Sequence, residues 1–208
     1  MNYDNVKIER IGLFGGTFAP PHKGHIYAAQ TMLKSIRLDK LLIMPAYIPP
    51  HKQKKGLDTP EQRFKMCEAA FGSLPKTVIS DYEISKGGIS YTVETLAHLK
   101  NDKNEIFLLC GSDMFMTLES WYCSSDIFKM AKIVAIPRYS DDMTQLSEKK
   151  SLYEKKYEAQ IYIIDANPFE LSSTEIREAV SEGKDLAPYL SDEVIEIIKN
   201  QNLYSKQK

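Results

Sequence analysis

The feature that most restricts the fold of this chain is an alternation, kept up over most of its length, between short apolar runs and longer segments with helical spacing. Apolar, β-rich runs fall at residues 7–14, 40–45, 76–82, 105–110, 131–137 and 159–164. In the first intervening segment Ile26, Ala29, Leu33 and Ile36 recur at three and four, giving one apolar face to a helix over about residues 25–36. Strand–helix–strand order with short connections calls for parallel strands joined by right-handed crossovers. The expected fold is therefore α/β: a Rossmann-like, doubly wound open parallel sheet forming a single domain over residues 1–208, with C-terminal helices. Such a sheet binds ligands beyond the carboxyl ends of its strands.

Local start signals sharpen the helices. In "DTPEQRF" Thr59 can cap a helix with Pro60 at its first position and Gln62 three residues on. In "LSSTEIREAV" Ser172 precedes Glu175 by three, a second capping box, and Ser191 stands before an amphipathic final helix. The charged stretch "LSEKKSLYEKKYEA" reads as a solvated helix face.

The 208 residues suit one full-sized domain, which at that length buries about 70% of its unfolded surface. With 27 basic and 28 acidic residues the net charge is −1, so neither nucleic acid nor an anionic membrane is an expected partner. Small molecules are. Cys67, Cys110 and Cys123 are odd in number and widely spaced, which reads as free thiols filling the core in a reducing compartment. The first ten residues lack the apolar region of a signal peptide, and no run approaches the length of a membrane span; the expected location is the cytoplasm. Oligomeric state is left open, self-association included.

The chemistry is concentrated in "GLFGGTFAPPHKGH", directly after the first strand. Gly15 and Gly16 let backbone amides approach a ligand, and the following helix points the positive end of its dipole outward, which makes an anion site. The spacing is neither GxGxxG nor that of a Walker A loop. His22 and His25, three apart at a helix start, can face the same side and aim N–H donors at phosphate oxygens. Zinc is disfavoured, since the loop has no HExxH pattern and no nearby cysteine. Structural histidines in a tight loop are the plain alternative.

"GGTFAPPHKGH" resembles the GGxFxPxHxGH signature of the HxGH nucleotidyltransferase superfamily, and "SSTEIR", from Ser172 to Arg177, resembles its second signature, SSTxIR. Within that superfamily "IPPHKQKKG", "SYTVETL" and "GSDMFMTLESWY" resemble segments of bacterial nicotinate-nucleotide adenylyltransferases. The resemblance runs from about Ile11 to Arg177. It implies transfer of AMP from ATP to nicotinate mononucleotide, giving nicotinate adenine dinucleotide and pyrophosphate in NAD biosynthesis, with Mg²⁺ arriving on ATP.

Roles follow from the resemblance and from the residue types together. His22, His25, Lys52 and Arg177 are the expected catalytic groups, holding phosphates and neutralising charge on the entering and leaving groups. Gly15, Gly16, Thr17, Phe18, Gly111, Asp113, Ser172, Ser173 and Thr174 are the expected nucleotide-binding set. His51, Tyr91, Thr92 and Trp121 are expected at the acceptor. Tyr91 and Thr92 start a helix whose free N–H groups favour a carboxylate over an amide, and Trp121 is expected to stack on the pyridine ring. No protein-held metal site is expected. Ala19 departs from the family, which usually has an acid or amide there, so Pro20 and Pro21 are expected to stiffen the loop. The alternatives are a pantetheine-phosphate adenylyltransferase, a cytidylyltransferase using CTP, and a catalytically silent pyridine-nucleotide sensor.

Overall fold

Period-two burial of apolar residues builds the centre of the fold, seen here in a computed structural model that describes residues 7–50, 58–139, 142–167 and 169–205. The strands are β1 (Glu9–Gly16), β2 (Lys40–Pro45), β3 (Thr77–Ile79), β4 (Asn104–Gly111), β5 (Ala131–Ile136) and β6 (Ile161–Ile163). They form one sheet in the order β3-β2-β1-β4-β5-β6, every pair parallel. The helices are α1 (Lys23–Ser35), α2 (Pro60–Phe71), α3 (Tyr82–Lys86), α4 (Thr92–Leu99), α5 (Ser112–Thr117), α6 (Ser124–Met130), α7 (Asp142–Tyr157), α8 (Ser173–Ser181) and α9 (Asp192–Asn200).

Consecutive strand residues face opposite layers. Phe14, Leu41, Ile43, Phe107 and Leu109 pack against α1, α2, α8 and α9 through Met32, Met66, Ile176 and Val194. Leu13, Leu42, Met44, Leu108 and Cys110 pack on the other face against α4 to α7 through Leu96, Phe115, Ile127 and Tyr153. Each buried aliphatic side chain contributes about 1.5–3 kcal/mol, so the two layers jointly hold the sheet. With β2 on one side of β1 and β4 on the other, the chain reverses direction across the sheet between β1 and β4, and a crevice opens at their carboxyl ends.

The expected capping boxes are present. Thr59 accepts from Gln62 N–H while Gln62 returns the bond, and Ser172 and Glu175 do the same at α8. Ser191 begins α9 without a side-chain cap bond.

Four differences from the sequence reading are local. β1 runs on to Gly16, so the two glycines close the strand instead of following it. β3 is only three residues long, because Ser80 accepts the N–H of Tyr82 and turns the chain into α3. α7 is not solvated all round: Leu146 and Tyr153 are fully buried, and the Tyr153 hydroxyl bonds to the Phe115 carbonyl at 3.2 Å. Cys67 and Cys110 are core residues, and burial pushes the Cys110 thiol up to about 12. Cys123 is not. It is exposed in a left-handed turn at the start of α6, where the backbone directs its side chain away from the core. Among the described residues no helix is long and apolar enough to cross a membrane.

Candidate active site

A cavity of about 460 Å³ occupies the crevice at the β1–β4 switch point. Its floor is the end of β1, Gly15 to Phe18, and the histidine pair. The segment after β4, Gly111 to Met114, closes one side, and the start of α8 closes another. Tyr91, Thr92 and Trp121 lie at the end formed by α4.

The histidines begin α1 as a reciprocal cap. His22 is the N-cap, its Nδ1 accepting from the N–H of His25 at 3.4 Å, while Nδ1 of His25 accepts from the N–H of His22 at 3.2 Å. The rings stack with centroids 3.7 Å apart and planes 27° from parallel. Each Nδ1 is an acceptor, so a neutral imidazole in this arrangement carries its proton on Nε2. Burial, reinforced by the nearby positive charge of Arg138, lowers the pKa of His22 to about 4 against an opposing pull from Glu175. His22 is thus a neutral N–H donor at pH 7. The capping also engages both Nδ1 atoms, which leaves them unavailable to a metal. Among the described residues no group of three or more His, Cys, Asp or Glu is placed to hold a metal ion.

The two glycines do different things. A Cβ on Gly16 would stand 3.0 Å from the ring of Phe18, whereas one on Gly15 would meet only open space and a carbonyl at 4.0 Å. Phe18 turns back with φ 50° and is 2% exposed, edge-on to Phe14 and Phe71 and to the His25 ring. Its side chain is therefore core, although the residue borders the cavity.

At α8 the three hydroxyls are already engaged. Ser172 caps the helix and donates to Glu175; Ser173 donates to the Pro20 carbonyl at 3.0 Å; Thr174 accepts from Arg177 Nη2 at 3.0 Å. What the helix presents is its N-terminal amides. Arg177 departs from expectation, since it does not line the cavity: its Nη1 donates to the Ala19 carbonyl at 2.7 Å. The loop containing Ala19 is thus steadied by bonds from α8 to its carbonyls, in addition to its prolines.

Asp113 reaches the cavity but forms an ion pair with Arg138, which also donates to the Leu171 carbonyl at 2.8 Å. The Arg138 side chain passes beside Gly111, where a Cβ would be in ordinary contact with Cδ of the arginine at 3.4 Å. At the other end Tyr91 is the N-cap of α4, and its ring lies 4.6 Å from that of Tyr122. Trp121 is half-buried, packed on the layer that holds Leu118 while lining the cavity. His51 and Lys52 fall outside the described residues.

Two charged cavity residues escaped the sequence reading. Arg138 follows β5 at its carboxyl end, the position from which such sheets contact ligands. Glu83 is buried beside α4, accepting from the Thr95 hydroxyl at 2.5 Å, and burial pushes its carboxyl above the usual range despite that bond. Only the tertiary structure brings it to the cavity.

A doubly wound sheet with a histidine-capped loop and several helix N-termini turned into its switch-point crevice defines an enzyme of the nucleotidyltransferase class. The chain belongs to the cytidylyltransferase-like family, whose model matches residues 13–179. It is 36% identical over 200 residues to a Clostridium botulinum protein described as "Probable nicotinate-nucleotide adenylyltransferase", covering 96% of this chain and all of that one. It is 37% identical over 199 residues to a protein of the same description from Clostridium kluyveri, covering 92% and 97%. The fold is that of Plasmodium falciparum nicotinic acid mononucleotide adenylyltransferase complexed with NaAD. The TM-score is 0.73 at 18% identity, over 94% of this chain and 97% of that one.

Proposed function

We infer that this chain transfers AMP from ATP to nicotinate mononucleotide, releasing pyrophosphate and forming nicotinate adenine dinucleotide, a step of NAD biosynthesis. The observation that carries the reading is the convergence of three helix N-termini, those of α1, α4 and α8, on one cavity. Each favours an anion, by about 0.3–1 kcal/mol at an exposed site and more when partly buried. A triphosphate, an attacking phosphate and a pyridine carboxylate supply three anionic groups.

In this mechanism a 5′-phosphate oxygen of nicotinate mononucleotide attacks the α-phosphorus of ATP. The new P–O bond forms as the bond to the bridging oxygen breaks, and pyrophosphate carries away the electron pair. The attacking phosphate is already ionised, so no general base is needed and the protein contributes position and charge stabilisation. Nε2–H of His22 and of His25 donate to phosphate oxygens, and the amides at Gly15 to Phe18 and at the start of α8 complete the cradle. ATP would be taken as its magnesium complex, in which the cation would offset part of the phosphate charge. Lys52 and His51 supply a positive charge and an N–H donor to the phosphate groups. Arg177 bears on them too, because charged phosphate oxygens form bonds roughly twice as strong as a carbonyl's and compete with Ala19 for the guanidinium. Asp113 accepts from ribose hydroxyls. The N–H groups of Tyr91 and Thr92 take the carboxylate, and Trp121 stacks on the pyridine ring. The three free cysteines fit a reducing compartment, and the cytoplasm is the proposed location.

The test is pyrophosphate release from MgATP with nicotinate mononucleotide, nicotinamide mononucleotide and phosphopantetheine as parallel acceptors, with CTP in place of ATP as a fourth arm. Turnover with the nicotinate substrate well above the amide is expected. Turnover with phosphopantetheine alone, with CTP alone or with none overturns the reading.

A further inference from the structure

Arg63 lies on α2, no residue of which lines the cavity, and its side chain is only 4% exposed. It shares a helix face with the buried Met66, Cys67 and Ala70. Each nitrogen of its guanidinium is engaged. Nη1 donates to the carbonyl of Thr17 at 3.1 Å and to that of Ala46, Nη2 donates to the carbonyl of Tyr47 at 2.9 Å, and Nε pairs with Asp58 at 3.1 Å. The other Asp58 oxygen accepts from the Tyr204 hydroxyl at 2.6 Å. A buried guanidinium without a counter-charge is strongly unfavourable, so Asp58 is what allows Arg63 to sit there.

The carbonyls it holds belong to two different walls of the cavity. Thr17 follows β1 on the phosphate loop; Ala46 and Tyr47 follow β2. The segment after β2 is fixed on its far side as well, Tyr47 N–H donating to the Ser90 hydroxyl at 2.9 Å and Ser90 N–H to the Ile48 carbonyl at 2.9 Å. Ser90 directly precedes Tyr91 and Thr92 at the start of α4. A continuous series of bonds therefore runs from Arg63 through the Thr17 loop on one side and residues 46–48 on the other to the α4 end of the cavity. Arginine suits this place because its five donors, spread over a planar fork, reach three carbonyls and a carboxylate at once, more partners than the three donors of lysine can serve.

We propose that Arg63 is a positioning residue that sets the separation between the phosphate loop and the α4 end of the cavity, with Asp58 and Tyr204 holding its guanidinium in orientation. The proposal rests on the two-substrate reading above, in which ATP held by its phosphates at one end and nicotinate mononucleotide held by its carboxylate and ring at the other meet in between. It acts through the carbonyls of residues 17, 46 and 47 and touches neither substrate.

The experiment compares Arg63→Lys and Tyr204→Phe with Leu146→Ala, a core truncation in α7 away from the cavity. Each binding end stays intact, so KM for ATP and for nicotinate mononucleotide should remain within about threefold. Alignment is lost, and kcat should fall by about 10- to 100-fold in Arg63→Lys, since a misplacement of about 1 Å can cost about 100-fold. Tyr204→Phe should shift kcat the same way by a smaller factor, and it carries the test if Arg63→Lys does not fold. Leu146→Ala should lower the melting temperature and leave kcat unchanged well below it. Amide hydrogen exchange gives a readout independent of turnover: residues 15–18 and 46–48 should exchange faster together in both Arg63→Lys and Tyr204→Phe, and not in Leu146→Ala. A rise in KM with kcat intact, or a fall in kcat matched by Leu146→Ala, overturns the proposal. A wild-type protein silent with every acceptor overturns the functional reading instead. Exchange then decides on Arg63 alone, and failure of the two segments to loosen together refutes it.

Discussion

Arg177 on α8 donates from Nη1 to the carbonyl of Ala19, 2.7 Å away and 158 residues earlier in the chain. With the Ser173 bond to Pro20, it makes the two signature segments one structural unit. The same guanidinium is the group expected at the triphosphate, so its two roles can be separated by substitution. Arg177→Gln keeps an N–H donor that can reach a carbonyl but removes the charge. We expect kcat/KM for ATP to fall by about 100-fold, the scale of one lost transition-state donor, with the melting temperature nearly kept. Steady-state kinetics at varied ATP read the outcome, and near-wild-type kinetics would confine Arg177 to supporting the loop.

The burial of His22 makes stability depend on pH. An unfolded histidine titrates near 6.5, whereas His22 in the fold titrates near 4 because of burial and Arg138. As pH falls the unfolded chain takes the proton first, so this contribution is complete above about pH 6.5 and is lost between there and about pH 4, at no more than about 1.4 kcal/mol per pH unit. His22→Asn retains a capping acceptor and cannot titrate. Denaturant unfolding at pH 7, 6 and 5 should show a shallower decline in the variant than in the wild type. Equal declines would mean that His22 is not the group responsible.

The adjacent glycines should separate fold from ligand. Gly16→Ala brings a Cβ to 3.0 Å from a Phe18 ring that Phe14 and Phe71 hold in place, and overpacking of this kind costs about 1–3 kcal/mol. Gly15→Ala meets open space and should leave the melting temperature nearly unchanged while lowering turnover, because its methyl group stands where phosphate approaches. Thermal melts and pyrophosphate assays on the two variants check both statements; equal melting temperatures would contradict the packing account.

Trp121→Ala should raise KM for nicotinate mononucleotide by about 2- to 30-fold, corresponding to the roughly 0.5–2 kcal/mol of cation–π attraction between an indole and a pyridinium ring. KM for ATP should stay within about twofold. A comparable rise for both substrates would place Trp121 in the support of the whole cavity instead.

What the sequence by itself determined was local. The caps at Thr59 and Ser172 and the start of α4 at Tyr91 depend on residues within a turn or two of each other and are found where the pattern places them, while the strand runs recur in order with several ends shifted. β2 is found at the six residues expected. Even the capping potential of His22 and His25 was present in their three-residue spacing, although its use to hold both Nδ1 atoms appears only with coordinates. Arg63 left a trace too, as a charge on a helix face otherwise formed by Met66, Cys67 and Ala70.

The tertiary structure decided which polar groups remain for ligand. Ser173, Thr174 and Arg177 looked equally available in "SSTEIR", but bonds to Pro20, Ala19 and one another engage them, and those partners lie across the fold. The pairing of Asp113 with Arg138, the exposure of Cys123 and the packing role of Gly16 were likewise settled by neighbours that periodicity does not register. Propensity and capping act over a few residues and are written in sequence order. Hydrogen bonds between residues 46, 146 or 158 positions apart exist only once the sheet has brought its loops to one end.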